Sequence, residues 1–205
     1  MKALLLKDYY LLRRLIKLYG IMMAVYAVIA IFVKNFGFVS GVNASLFTIM
    51  PLTTLNIDAS CHWNGFAIAS PASRKNIALE KYALAVIIWG IGMAVTLFFG
   101  VTFHFIDKEI VGWDEIAGTL VAQTVLLFFD NAVAVPAAFK FGPEKGRYVM
   151  MGGLVVPLLL LVAVSDYLDI LVSLPWLMAV LVCLPFILFV ASMPIAVHIC
   201  QNMDD

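Results

Sequence analysis

The chain has 205 residues, of which 64% are hydrophobic and only 13% charged, with a mean hydropathy of +1.04. A soluble domain carries charge on about a quarter of its residues, so this composition excludes an ordinary soluble globule, and its apolar surplus equally excludes a disordered chain. Thirteen basic and thirteen acidic residues cancel to a formal net charge of zero, so no global field argues for nucleic acid as a partner. The three cysteines, Cys61, Cys183 and Cys200, are odd in number and widely spaced, which suggests neither a disulfide framework nor a zinc cluster.

A membrane span needs roughly 17 to 25 mostly apolar residues to cross about 30 Å of hydrocarbon. Taken in chain order, the charge-poor stretches predict an all-α polytopic protein with six spans, at about 18–33, 39–57, 82–106, 116–139, 148–165 and 171–199. They leave short loops and no room for a second domain. Ahead of the first span, residues 1–17 carry Lys2, Lys7, Arg13, Arg14 and Lys17. At 100° per residue these cations fall within an arc of about 140°, with leucines opposite, which predicts an interfacial amphipathic helix. Asp8 breaks that segregation by falling on the apolar side. The last apolar stretch, 170–203, is long and contains Pro175, Pro185 and Pro194, so it reads either as one kinked or tilted span or as two.

Lys and Arg near span ends are retained in the cytoplasm. One side of the six-span layout receives eleven of the thirteen: the five N-terminal cations, then Arg74, Lys75 and Lys81, then Lys140, Lys145 and Arg147. Only Lys34 and Lys108 face the other side, so both termini are expected in the cytoplasm. The external loops read as acidic, with Asp107, Glu109, Asp114, Glu115, Asp166 and Asp169.

No GxxxxGK[ST] phosphate loop, HExxH or GxSxG occurs, and the three histidines stand in different segments, so neither nucleotide hydrolysis nor metal-dependent catalysis is expected of this chain. One acid lies deep. Asp130 is nine residues from the predicted end of the fourth span, hence roughly 14 Å into the membrane, where an ionised carboxylate costs a few kcal/mol unless partnered or hydrated. Its neighbours Asn131 and Gln123 are able to share hydrogen bonds with it or to line a wet cavity. The three residues form a candidate substrate pathway or conformational switch; a polar brace between helices is the competing reading.

The segment from Asp58 to Tyr82 is too polar to span. Ser73 is placed to cap a helix that begins at Arg74 and runs through Ile77 and Tyr82 into the third span, while Pro71 stops whatever precedes it. These residues predict a cytoplasmic elbow joined to two spans. Asp58 with Trp63, then Pro71-Ala72-Ser73-Arg74-Lys75-Asn76-Ile77 and Lys81-Tyr82, resemble the D-x4-W, LPxSRKxI and KY pattern of small type-2 ABC exporter permeases of bacteria. Phe139 to Arg147, FKFGPEKGR, is similar to the same family's YKFGxEKGR stretch. The departures are Ala59, Ser60 and Cys61, where charged residues are usual, and Ser70, where leucine is common.

The resemblance covers nearly the whole chain and implies a half-transporter. Two permeases, identical or paralogous, enclose a route, and two ABC ATPase subunits dock beneath; ATP and Mg belong to the ATPase, and this chain binds no cofactor or metal. The implied ATPase coupling contact comprises Trp63, Pro71, Ser73, Arg74 and Lys75, supported by Lys140, Glu144, Lys145 and Arg147. The family includes exporters of amphipathic peptides and of other hydrophobic compounds, and an amphipathic peptide drawn to Asp130 is the favoured cargo. A membrane accessory or immunity protein without transport, and a proton-driven carrier using Asp130, are the alternatives.

Overall fold

A computed structural model describes residues 2–33, 35–61, 63, 74–106, 111–142, 145–146, 148–149, 151–153, 155 and 175–201. Five long helices account for most of them: α1 Lys2–Val33, α2 Phe36–Ser60, α3 Arg74–Ile106, α4 Trp113–Phe141 and α5 Pro175–Gln201. Each is long and apolar enough to cross a membrane. The predicted span 148–165 lies mostly outside the described residues; positions 148, 149, 151–153 and 155 are helical.

The expected division between an interfacial helix ending at residue 17 and a first span beginning at 18 is not a break in the backbone, because α1 is continuous from Lys2 to Val33. Nothing in its sequence stops a helix: it holds no proline, and its one glycine, Gly20, sits between good helix formers. α2 follows almost at once. Asn35 caps it, its Oδ1 accepting from the Phe38 N–H at 3.2 Å, while the Asn35 N–H donates to the Ala30 carbonyl at 3.2 Å. The third helix begins at Arg74, as the capping argument expects, and continues as one rod into the span; Ser73 itself lies outside the described residues. The proline-rich last stretch is a single helix from Pro175. Pro175 occupies the first position, where the missing N–H is not needed. Pro185 and Pro194 lie inside the helix, as lipid-embedded helices tolerate when neighbours satisfy the freed carbonyls.

The starts of α1 and α3 and the end of α2 meet at one end of the bundle, the basic end, where Leu4 and Ile77 pack with Trp63. The opposite end is closed by Met23, Phe36, Phe103, Val111 and Ile116. Between them α4 and α5 make the most extensive helix pair. Leu127, Phe128, Val135, Phe189 and Ala196 fill it together with Tyr82 of α3, whose hydroxyl shares a 2.9 Å hydrogen bond with Ser192. Large apolar side chains such as Phe32, Phe98, Phe105, Phe186 and Ile187 point outward. In water such a surface would aggregate; in hydrocarbon it is the solvated face.

Candidate functional site

Trp63, the one described residue between 61 and 74, is half-buried, and the Lys7 ammonium lies 4.6 Å from its ring centroid, a cation–π contact that covers part of the lysine. The same Nζ donates to Asp58 Oδ1 at 2.6 Å and stands 3.0 Å from Asp8 Oδ1. Lys81, only 1% exposed, completes the cluster. It donates to Asp8 Oδ2 at 2.6 Å, to Asp58 Oδ2 at 2.7 Å and to Thr54 Oγ1 at 3.2 Å, and lies 3.6 Å from Glu80 Oε2. Three helices are thereby joined at the basic end, α1 through Lys7 and Asp8, α2 through Thr54 and Asp58, and α3 through Glu80 and Lys81.

Asp8 is the member outside the spans. Burial pushes its carboxyl up, but hydrogen bonding with Glu80 and the ammonium groups of Lys81 and Lys7 outweigh that, so it is held below its ordinary value of 3.8. Its place on the apolar side of α1, an imperfection in the amphipathic pattern, is thus the interior face of a charge cluster. Lys81, counted with the cations that orient the spans, is not a surface residue at all. The sequence reading of the site omitted Asp8 and Lys81 and gave Asp58 no role beyond its place in the motif; the only signal was a carboxylate on the wrong face of α1 and a lysine directly before the predicted third span.

Among the residues of the predicted coupling contact, Lys75 is exposed at the start of α3, and Arg74 opens that helix. Pro71, Ser73, Glu144 and Arg147 lie outside the described residues. Lys140 and Lys145 are both exposed, with Lys140 over the Phe141 ring at 5.2 Å. The glycines of this second loop have separate physical reasons. Gly142 ends α4 at φ 86°, a left-handed conformation open chiefly to glycine. Gly146 donates its N–H to the Gly142 carbonyl at 3.0 Å and lies against α4, where an added Cβ would come within 2.8 Å of Ala138 Cβ and 2.9 Å of its Cα. Gly146→Val should therefore force the turn off α4 and destabilise the protein by about 1–3 kcal/mol, read as a lowered thermal midpoint in detergent.

The predicted pathway residues are interior. Asp130, Asn131 and Gln123 are each 1% exposed. Gln123 belongs to a polar seam across three helices: Asn43 Nδ2 donates to Thr96 Oγ1 at 2.6 Å and to the Gly92 carbonyl at 3.2 Å, and Thr96 Oγ1 donates to Gln123 Oε1 at 2.6 Å. Asn131 Nδ2 donates to the carbonyls of Leu127, at 2.9 Å, and Thr48, at 3.4 Å. Neither side chain hydrogen-bonds Asp130. Instead Asp130 faces Gly153, where any Cβ would collide with Oδ1, and both carboxylate oxygens are without a hydrogen-bond partner among the described residues. Sharing of hydrogen bonds with Asn131 and Gln123 fails because successive helical positions diverge by 100° and Gln123 is turned toward α3.

The family described as ABC-2 family transporter protein matches residues 3–202. No curated protein and no solved structure matches the chain. The match takes in all five described helices nearly end to end, the elbow and the glycine-bearing second loop, and such permeases work with ABC ATPases. With its helices long and apolar enough to cross a membrane, the chain belongs to the ABC-2 transporter family as the membrane permease subunit of an ABC transporter.

Proposed function

We propose that this chain is half of an ATP-driven exporter in a bacterial cytoplasmic membrane, paired with a second permease, identical or paralogous, and coupled to two ATPase subunits beneath the basic end. Both termini then lie in the cytoplasm, in keeping with the concentration of Lys and Arg at that end. The observation that carries this reading is the run of contacts Trp63–Lys7–Asp58–Lys81, which joins the elbow to α1, α2 and α3 at once. The ATPase binds ATP and Mg and docks on Trp63, Pro71, Ser73, Arg74 and Lys75, with Lys140, Glu144, Lys145 and Arg147 as a second surface. Its open and closed forms hold the elbow with different free energies, and that difference shifts the permease pair between states. The cargo is an amphipathic peptide or another hydrophobic compound. Asp130, Asn131 and Gln123 act in the helix rearrangement that opens the route, and their burial in a single chain supports this over standing contact with cargo.

The test is reconstitution into vesicles, with and without the ABC ATPase that copurifies with this chain, scored by ATP-dependent movement of a labelled cationic amphipathic peptide. Transport should appear only with the ATPase and ATP; transport by the permease alone would overturn the reading. Asp130→Asn separates it from a proton-driven carrier. The unpartnered carboxylate is where such a carrier would bind its proton, and the variant would then lose transport entirely, whereas an ATP-driven exporter should retain ATP-dependent transport at a reduced rate.

A further inference from the structure

α1 and α3 run in the same direction from the basic end, and between them lies a groove of about 800 Å³. Phe47 and Met50 of α2, with Leu84 and Ile88 of α3, form its floor, while Tyr9 and Ile91 are on its exposed rims. The lining is apolar apart from the hydroxyls of Tyr9 and Tyr19. Water has too few partners there to be held, so the groove suits hydrocarbon. It extends along α1 from Leu5 to Met23 and along α3 from Leu84 to Phe99, which at 1.5 Å per residue is about 22 to 27 Å. From Arg13 to Met23 α1 rises about 15 Å, half the hydrocarbon thickness of a bilayer, so one extended chain fits lengthwise in that part of the groove with its polar end level with Arg13.

The exposed charge there has one sign among the described residues, since Asp8, Asp58 and Glu80 are buried in the ion cluster. Arg13 and Lys17 are exposed, each one position on from a groove residue, Leu12 and Ile16, and so stand along the groove's edge. The only acid in the first half of α1 is Asp8, which is buried and held by Lys7 and Lys81. A helix from a second copy would meet these cations poorly: α5, whose large apolar face is the obvious candidate, contains no acidic residue. We propose that the groove holds one acyl chain of an anionic phospholipid from the leaflet at the basic end, with its phosphate against Arg13 and Lys17. The lipid fills the space between α1 and α3, and its site is independent of what the transporter exports.

Native mass spectrometry tests this on the full-length protein, delipidated in detergent and then exposed to vesicles of phosphatidylglycerol or phosphatidylcholine with identical acyl chains. The wild type should retain one phosphatidylglycerol per chain, with phosphatidylcholine binding about 25-fold weaker, since each of the two cations near an anionic headgroup contributes on the order of a factor of five. Gly20→Phe, at a position where an added Cβ meets nothing within 4 Å, should fill the groove and abolish retention of both lipids. Arg13→Gln with Lys17→Gln, a surface change that leaves the groove intact, should reduce phosphatidylglycerol to the phosphatidylcholine level. Equal retention of the two lipids by the wild type, or undiminished retention by a folded Gly20→Phe protein, overturns the proposal. So does efficient disulfide cross-linking between two chains carrying Gly20→Cys, which would make the occupant a second copy.

Discussion

Replacing Lys81 with methionine should release the basic end of α1 from the bundle and destabilise the protein by about 3–5 kcal/mol, because the buried carboxylates of Asp8 and Asp58 lose the ammonium they share. Lys7 reaches one oxygen of Asp58 but is itself partly exposed and cannot replace the inner contact. The cost is chiefly that of uncompensated buried charge, so it should be recovered in large part by removing the charges together: Lys81→Met with Asp8→Asn and Asp58→Asn should melt closer to the wild type than Lys81→Met alone. Thermal unfolding in detergent measures both, and a cysteine pair bridging the first turns of α1 and α3 reports whether α1 has come away. If Lys81→Met melts like the wild type, the cluster does not hold the helices. Acid should act in the same direction. The folded-state pKa of Asp8 is depressed below its ordinary value, so its stabilising contribution is complete above about pH 4 and is lost as the pH falls through the folded value. Lys7, Asp58, Glu80 and Lys81 all face it. An Asp8→Asn protein should show less of this acid sensitivity than the wild type.

Reversing the charge at the start of α3, by Arg74→Glu with Lys75→Glu, should abolish ATP-dependent export while the protein still inserts and folds. Lys75 is exposed and takes no part in the ion cluster, so the expected change in thermal stability from its substitution is within about 0.5 kcal/mol. Loss of export with an unchanged melting curve locates the defect in the contact with the ATPase. Two readouts check it: transport in co-reconstituted vesicles, and recovery of the ATPase with the tagged permease after detergent extraction. Export at the wild-type level would remove the elbow from the coupling surface. Because Trp63 lies beside Lys7, Trp63→Ala should give a milder form of the same phenotype, with docking retained and transport slowed.

The spans were legible because lipid imposes a one-dimensional rule. A stretch free of charge for about 20 residues must be helical and must cross, and the intervals read as 39–57, 82–106, 116–139 and 171–199 correspond to α2, α3, α4 and α5 with ends a few residues longer or shorter. Helix ends were less legible, since a helix continues into the aqueous layer wherever nothing stops it. That is why α3 begins at Arg74, eight residues before its apolar stretch, and why α1 shows no boundary at residue 17. The elbow and second loop were recognisable from local motifs. The ion cluster was not, because Asp8, Asp58 and Lys81 are 50 and 23 residues apart and each has an ordinary local explanation: a flaw in an amphipathic face, a motif residue just past the second predicted span, an orienting cation. Only folding brings both carboxylates within 2.7 Å of the Lys81 ammonium. Gln123 and Asn131 show the complementary case, polar residues correctly marked as exceptional whose actual partners, Thr96 and the Thr48 carbonyl, belong to other helices.

The unbroken course of α1 has a mechanical consequence. Thirty-two residues of helix make a stiff rod about 48 Å long, gripped near its foot by Lys81 and Asp58 and buried at its far end only through Met23 and Ala30. Its far end is not loose, because Asn35 binds the Ala30 carbonyl and opens α2 two residues past Val33, and Tyr26 stacks edge-on against Phe38. A displacement imposed where Lys7 meets Trp63 is therefore carried the length of α1 and handed to α2, so the pair shifts as a single lever.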